Sequence, residues 1–155
     1  MTIVVSLDGV DASTYESIRI GARFEDVMRN LDRFSGYAQV HGTAVHLAHC
    51  LMTSNWEHFP AFLRFAEARG MRAYVNTVTS PIGLSLFHLP PQRLKAVIDH
   101  LEAHDADLSR ELTLNLPLWR DQLLRLHHRL NGLVAADGVD YYLGVSGFPL
   151  ARLDG

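Results

Sequence analysis

The 155-residue chain contains a single cysteine, Cys50. One thiol closes no internal disulfide, and a reducing cytoplasm is the expected compartment. The lone cysteine also excludes an iron–sulfur cluster held entirely by thiolates of this chain. No run approaches the roughly 18 apolar residues of a membrane helix, so no membrane partner is expected. Residues 1–30 lack a basic segment followed by an apolar one, and no signal peptide is expected. A concentrated basic face is absent as well. Arg19, Arg23, Arg29 and Arg33 are interleaved with acids, and the formal net charge is -3. That pattern reads as a solvated helix surface and speaks against a nucleic-acid partner.

The remaining composition is that of a globular domain, 48% hydrophobic and 20% charged, long enough to bury a core. Residues 2–7, Thr-Ile-Val-Val-Ser-Leu, are rich in β-branched side chains and stop at the turn signal Asp8-Gly9. Phe24, Val27, Met28, Leu31 and Phe34 then recur at helical spacing, with Ser35-Gly36 expected to end that helix. A second strand is expected within residues 40–52, beginning after Gly42. Asn55 is the expected N-cap of a second helix, with Pro60 in its first turns and Gly70 closing it. Residues 71–79 read as a third strand. Pro90-Pro91 opens a third helix with Leu94, Val97, Ile98 and Leu101 on its inner face.

Three strand–helix units in succession predict an α/β fold with a parallel sheet. Such a sheet needs cover on both faces or closure into a barrel, and three units cannot close one alone. Residues 1–104 form this part. Residues 105–155 read as a helical extension, with Leu116, Trp119, Leu123, Leu126 and Leu130 on one helix that stops at Asn131-Gly132. Residues 141–145 are a possible short strand in an otherwise irregular tail.

Candidate chemistry is sparse. Ser6 and Asp8 stand at the end of the first strand and share a side if the strand continues that far, within reach of a ribose or other polyol. His46, His49 and Cys50 resemble a metal cluster, yet strand alternation puts His49 opposite the other two. A tetrahedral site would need ligands from elsewhere. Gly144-Val145-Ser146-Gly147 lacks the glycine spacing of a nucleophile elbow, and no GxxxxGK[ST] occurs. Glu102 with Asp105, and His127-His128, read as solvated helix surface.

The ordered stretches carry a resemblance. Val5-Ser6-Leu7-Asp8-Gly9, then Thr14-Tyr15-Glu16-Ser17-Ile18-Arg19-Ile20-Gly21 and the helix after it, resemble the fourth strand and following segment of radical S-adenosylmethionine enzymes. The similarity is closest to enzymes related to the SPASM type. It continues through Leu51-Met52-Thr53-Ser54-Asn55-Trp56, Arg72-Ala73-Tyr74-Val75-Asn76-Thr77-Val78-Thr79 and Leu86-Phe87-His88-Leu89-Pro90-Pro91, covering residues 3–100. In that family a partial (βα)6 barrel holds a [4Fe–4S] cluster on a CxxxCxxC loop. The cluster cleaves S-adenosylmethionine to a radical that abstracts hydrogen from substrate.

The resemblance implies that this chain supplies the fourth to sixth units of such a barrel, a half barrel. By position, Ser6 and Asp8 match the ribose contacts, and Arg19 a cation near the methionyl carboxylate. Leu51 and Thr53, with Asn76 and Thr77, match strand ends on the adenine side. The CxxxCxxC loop is missing. The chain alone is therefore not expected to cleave the cofactor, and Met1 so close to a core strand suggests a split or truncated frame. The implied partner is a polypeptide carrying the other half barrel; the substrate is unspecified. A different reading is a non-catalytic module that dimerises or docks on a partner, with the Trp119 helix offering an apolar face.

Overall fold

The structure, a computed structural model, describes residues 2–137. It is an α/β fold with three strands and six α-helices among those residues. In chain order these are β1 (Thr2–Ser6), α1 (Ala12–Ile18), α2 (Phe24–His41), β2 (Ala44–Leu51), α3 (Phe59–Ala68), β3 (Arg72–Thr77), α4 (Pro91–Glu102), α5 (Asp105–Glu111) and α6 (Leu116–Asp137). The sheet is wholly parallel, in the order β1-β2-β3.

Alternation along β2 explains how the layers form. Val45, Leu47, His49 and Leu51 are buried, whereas His46, Ala48 and Cys50 are only half-buried. The buried set meets one core with Leu31 and Ala38 of α2, Phe59, Phe62 and Leu63 of α3, Ile98 and Leu101 of α4, and Trp119 of α6. The α5 and α6 segments thus share the core of the strand–helix units. Trp119 is fully buried and its indole N–H donates to Asp105 Oδ1 at 2.8 Å. The Trp119 face of that helix is therefore part of the core and is not free for docking.

Among the described residues, the opposite sheet face carries no helix side chains in that core. Register sets four rows across it: Thr2 with Ala44; Val4, His46 and Arg72; Ser6, Ala48 and Tyr74; and Cys50 with Asn76. Val4 is 55% and Tyr74 47% exposed there. An uncovered face is unusual for a parallel sheet, whose faces are normally both buried.

Several local expectations are corrected. The helix that opens at Phe24 does not end at Gly36 but runs to His41, and Gly42 supplies the left-handed cap at φ 60°. Ala38, one helical repeat beyond Leu31, keeps the inner face apolar and carries the helix past the glycine. Gly36 is exposed, and a Cβ there would meet nothing within 4 Å. Gly36→Ala should therefore stabilise the fold by about 0.5–1 kcal/mol, read as a higher urea midpoint at unchanged slope. The last helix likewise continues past Asn131-Gly132, because Leu133 and Val134 still pack on the core.

The short helix α1 is an addition to the sequence reading. Asp11 caps it, accepting from the Thr14 N–H and the Thr14 hydroxyl, both at 2.8 Å. Gly9 permits the close approach, since a Cβ there would lie 2.7 Å from the Tyr15 nitrogen. Pro91, Pro60 and Gly70 stand at the ends assigned to them. The possible strand at residues 141–145 lies outside the described residues. No helix among those described is long and apolar enough to cross a membrane.

Candidate functional site

The polar residues gather where the three strands end. β1 stops at Ser6, and the chain turns so that Ser6 stays exposed on the uncovered face while Asp8 is only 2% exposed. The two side chains therefore do not form one solvent-facing pair, because alternation ends before it reaches Asp8.

Asp8 acts instead as a tie. Its Oδ1 accepts the Cys50 backbone N–H at 2.7 Å, extending the β1–β2 ladder with a side chain where backbone pairing has ended. Its Oδ2 accepts Arg19 Nε at 2.7 Å. Its own carbonyl accepts Asn55 Nδ2 at 3.0 Å. Asn55 also donates to the Cys50 carbonyl at 2.9 Å and accepts the Met52 N–H at 2.8 Å. Asn55 is thus a buried clasp between two strand ends and makes no N-cap bond to the turn after it, Trp56–His58.

Arg19 closes α1 and leaves 40% of its side chain exposed above this tie. One guanidinium edge serves Asp8. The carboxylate partly offsets its charge, so Arg19 is a weaker anion attractor than a free cation would be. Thr53 is held by the turn at Ile82–Leu84: its N–H donates to the Leu84 carbonyl at 3.0 Å and its hydroxyl to the Gly83 carbonyl at 3.1 Å. Asn76 is exposed on the uncovered face beside Cys50.

Leu51 and Thr77 turn the other way. Leu51 is fully buried in the core, and its carbonyl accepts the Val78 N–H. The Thr77 hydroxyl accepts Gln122 Nε2 at 2.6 Å. Of the seven candidate contacts, the structure brings Ser6, Asp8, Arg19 and Asn76 to the strand ends around Cys50. The Leu51 side chain lies in the core, Thr77 is bonded to Gln122, and Thr53 is bonded to the Ile82–Leu84 turn.

The Cys50 thiol is pushed up from its ordinary value. Burial is the main cause and the Asp8 charge adds to it, while Arg19 opposes. A protonated thiol is a poor metal ligand and a poor nucleophile. Among the described residues no group of three or more His, Cys, Asp or Glu side chains is placed to hold a metal ion. The donor set therefore does not fit a [4Fe–4S] cluster within this chain.

His49 underlies the site from the core side. It is 1% exposed, its Nδ1 lies 2.9 Å from the Leu7 carbonyl, and Phe62 stacks on it at 4.5 Å. A carbonyl only accepts, so Nδ1 carries the proton, and the buried Nε2 has no partner. Burial lowers its pKa below 6.5, outweighing the Leu7 bond and the Asp8 charge. As pH falls below 6.5 the unfolded chain binds a proton that the folded chain refuses. Stability should then decline at up to about 1.4 kcal/mol per pH unit, until the lower folded value is reached. Above 6.5 this contribution is flat. Urea midpoints across that range should show the slope, and His49→Leu should remove it.

Sequence reasoning had placed His49 opposite His46 and Cys50, and the structure agrees. It missed the clasp role of Asn55, for which an asparagine after a strand offers no signal distinct from a cap. Comparisons with protein-family models, with curated proteins and with solved structures find no match for this chain.

Proposed function

We propose that this chain is the cofactor-contacting half of a radical S-adenosylmethionine enzyme barrel, completed by a polypeptide that carries the cluster-binding half. The observation supporting this reading is the uncovered face of a parallel sheet, with polar groups concentrated at its C-terminal end. In barrels of strand–helix units that face is the interior, and the C-terminal end is where ligands sit. Among the described residues, helices on one face only, with Ser6, Cys50 and Asn76 on the other, fit one sector of such a barrel.

Each residue has a role in this reading. Ser6 and Asn76 offer exposed hydrogen-bonding groups to a ribose and an adenine. Arg19 faces the methionyl carboxylate with the guanidinium edge that Asp8 leaves free. Asp8 and Asn55 act through position, holding the ends of β1 and β2 together. Electron transfer to the cofactor would come from a cluster held by cysteines of the other half. This chain contributes no ligand to it and supplies orientation and cover.

The test mixes this chain, anaerobically and with a reductant, with a half barrel bearing a CxxxCxxC loop. The mixture should release 5′-deoxyadenosine from S-adenosylmethionine, and this chain alone should release none. Ser6→Ala and Asn76→Ala should raise the cofactor KM of the mixture about tenfold each. No product from the mixture, or equal product from the cluster-bearing half alone, would overturn the proposal.

A further inference from the structure

We propose that two copies of this chain pair through β1, forming a continuous six-stranded sheet across a two-fold axis. The inference goes beyond the cofactor reading and holds with or without it.

The two sheet edges differ. At β3, the Ala73 N–H points away from β2 and is taken by Asn115 Oδ1 at 2.8 Å, and Gln122 holds the Thr77 hydroxyl. The residue before α6 therefore caps the start of this edge. Among the described residues, β1 has a strand on one side only. The Leu7 N–H donates to the Ala48 carbonyl, so by alternation the backbone groups of Thr2, Val4 and Ser6 point outward. The sequence Thr-Ile-Val-Val-Ser carries no charge and no proline, two devices that protect edges in monomers. With β3 capped, edge pairing closes at two copies and does not propagate.

A second feature lies on the same side. Asp32 pairs with Arg69 at 2.8 Å, just beyond α3, which identifies the α2 flank nearest that helix. At 100° per residue, Phe34, Tyr37 and His41 fall on the other flank, toward the β1 edge. Phe34 and Tyr37 are exposed, and the Tyr37 ring contacts His41 at 4.1 Å between centroids.

A two-fold axis normal to the sheet brings the two features into one interface. Centred on Val4, it sets Val4 opposite its mate and Thr2 opposite Ser6, with all outward groups bonded. As the crossover between β1 and β2, α2 is expected over the groove between them; there it would lie about two strand spacings from its copy, roughly 9.6 Å, within the 8–10 Å of packed helices. The arrangement is antiparallel. It sets Glu25 and Asp26, in the first turn of one α2, near His41 in the last turn of the other. A parallel arrangement would oppose like charges. This complementarity names a second copy as the occupant. Because barrel completion needs the same edge, the dimer and the completed barrel exclude one another.

Sedimentation equilibrium of the isolated chain at tens of micromolar, without cofactor, tests this. The expected mass is twice that of the chain. Val4→Pro removes the central outward N–H, a position where an edge strand tolerates proline. Tyr37→Lys charges the helix flank. Each should raise the dissociation constant about 30-fold or more while far-UV dichroism stays unchanged. A monomeric wild type, a mass beyond two copies, or a dimer that Tyr37→Lys leaves unchanged would overturn the proposal. The Tyr37→Lys arm decides even where Val4→Pro fails to fold. None of these masses depends on S-adenosylmethionine, so failure here is distinct from failure of the enzyme reading.

Discussion

Asp8→Ala is expected to destabilise the chain by about 2–4 kcal/mol, seen as a lower urea midpoint and earlier thermal unfolding. The carboxylate is buried and bonded to both the Cys50 N–H and Arg19. Alanine would leave a backbone donor and one edge of a guanidinium without partners. The Arg19 side chain is 40% exposed, so water recovers part of its loss, and the Cys50 N–H carries most of the cost. Asp8→Asn separates the two. Its amide oxygen can still accept from Cys50, and less than half the destabilisation should remain. A neutral Asp8→Ala would mean that the strand ends hold together without this tie. Loss of cofactor affinity in Asp8→Ala is accordingly ambiguous, whereas Ser6 and Asn76 report on binding without disturbing the tie.

The second large effect is expected at Asn115, which is 1% exposed just before α6. Its Oδ1 accepts the Ala73 N–H at 2.8 Å, and its Nδ2 donates to the Met71 carbonyl at 3.0 Å and to Glu67 at 3.1 Å. Glu67 in turn accepts the N–H groups of Thr113, Leu114 and Asn115. Burial alone would raise the Glu67 pKa, but those backbone bonds outweigh it and bring it below 4.5. Asn115→Ala should cost about 2–4 kcal/mol in chemical denaturation, because it orphans Ala73 and Met71 backbone groups together. It should also uncover the β3 edge and give species larger than a dimer at raised concentration. Full stability in Asn115→Ala would contradict the edge-covering role.

Much of the architecture was legible because period and punctuation agreed. The β-branched run at residues 2–7, Gly70 before the third strand and Pro91 at the start of α4 each act through local backbone preference, which needs no tertiary context. The strand alternation that separated His49 from His46 and Cys50 is equally local. Gly36 and Gly42 show the limit. Both could cap a helix, and Ala38 packing on the core decided for the later one. Asn131-Gly132 failed as a stop for the same reason, overridden by Leu133 and Val134. Asn55 and Asp8 turned inward to satisfy backbone groups exposed only once β1 and β2 lie side by side. Leu51 and Thr77 follow from the face each occupies, which the strand registers fix. The uncovered face could be anticipated as a consequence of three units, but not which residues would line it.

We propose that the strand ends on this uncovered face form half of an S-adenosylmethionine site. The most direct measurement is a titration of the isotope-labelled chain with S-adenosylhomocysteine, which shares the ribose, adenine and carboxylate and undergoes no cleavage. The account predicts saturable amide shifts confined to residues near Ser6, Arg19, Cys50 and Asn76, with a dissociation constant of about 1 mM. Ser6→Ala and Asn76→Ala should each weaken them while leaving the rest of the spectrum in place. Shifts absent at several times that concentration, or centred on the helix layer away from the strand ends, would contradict it.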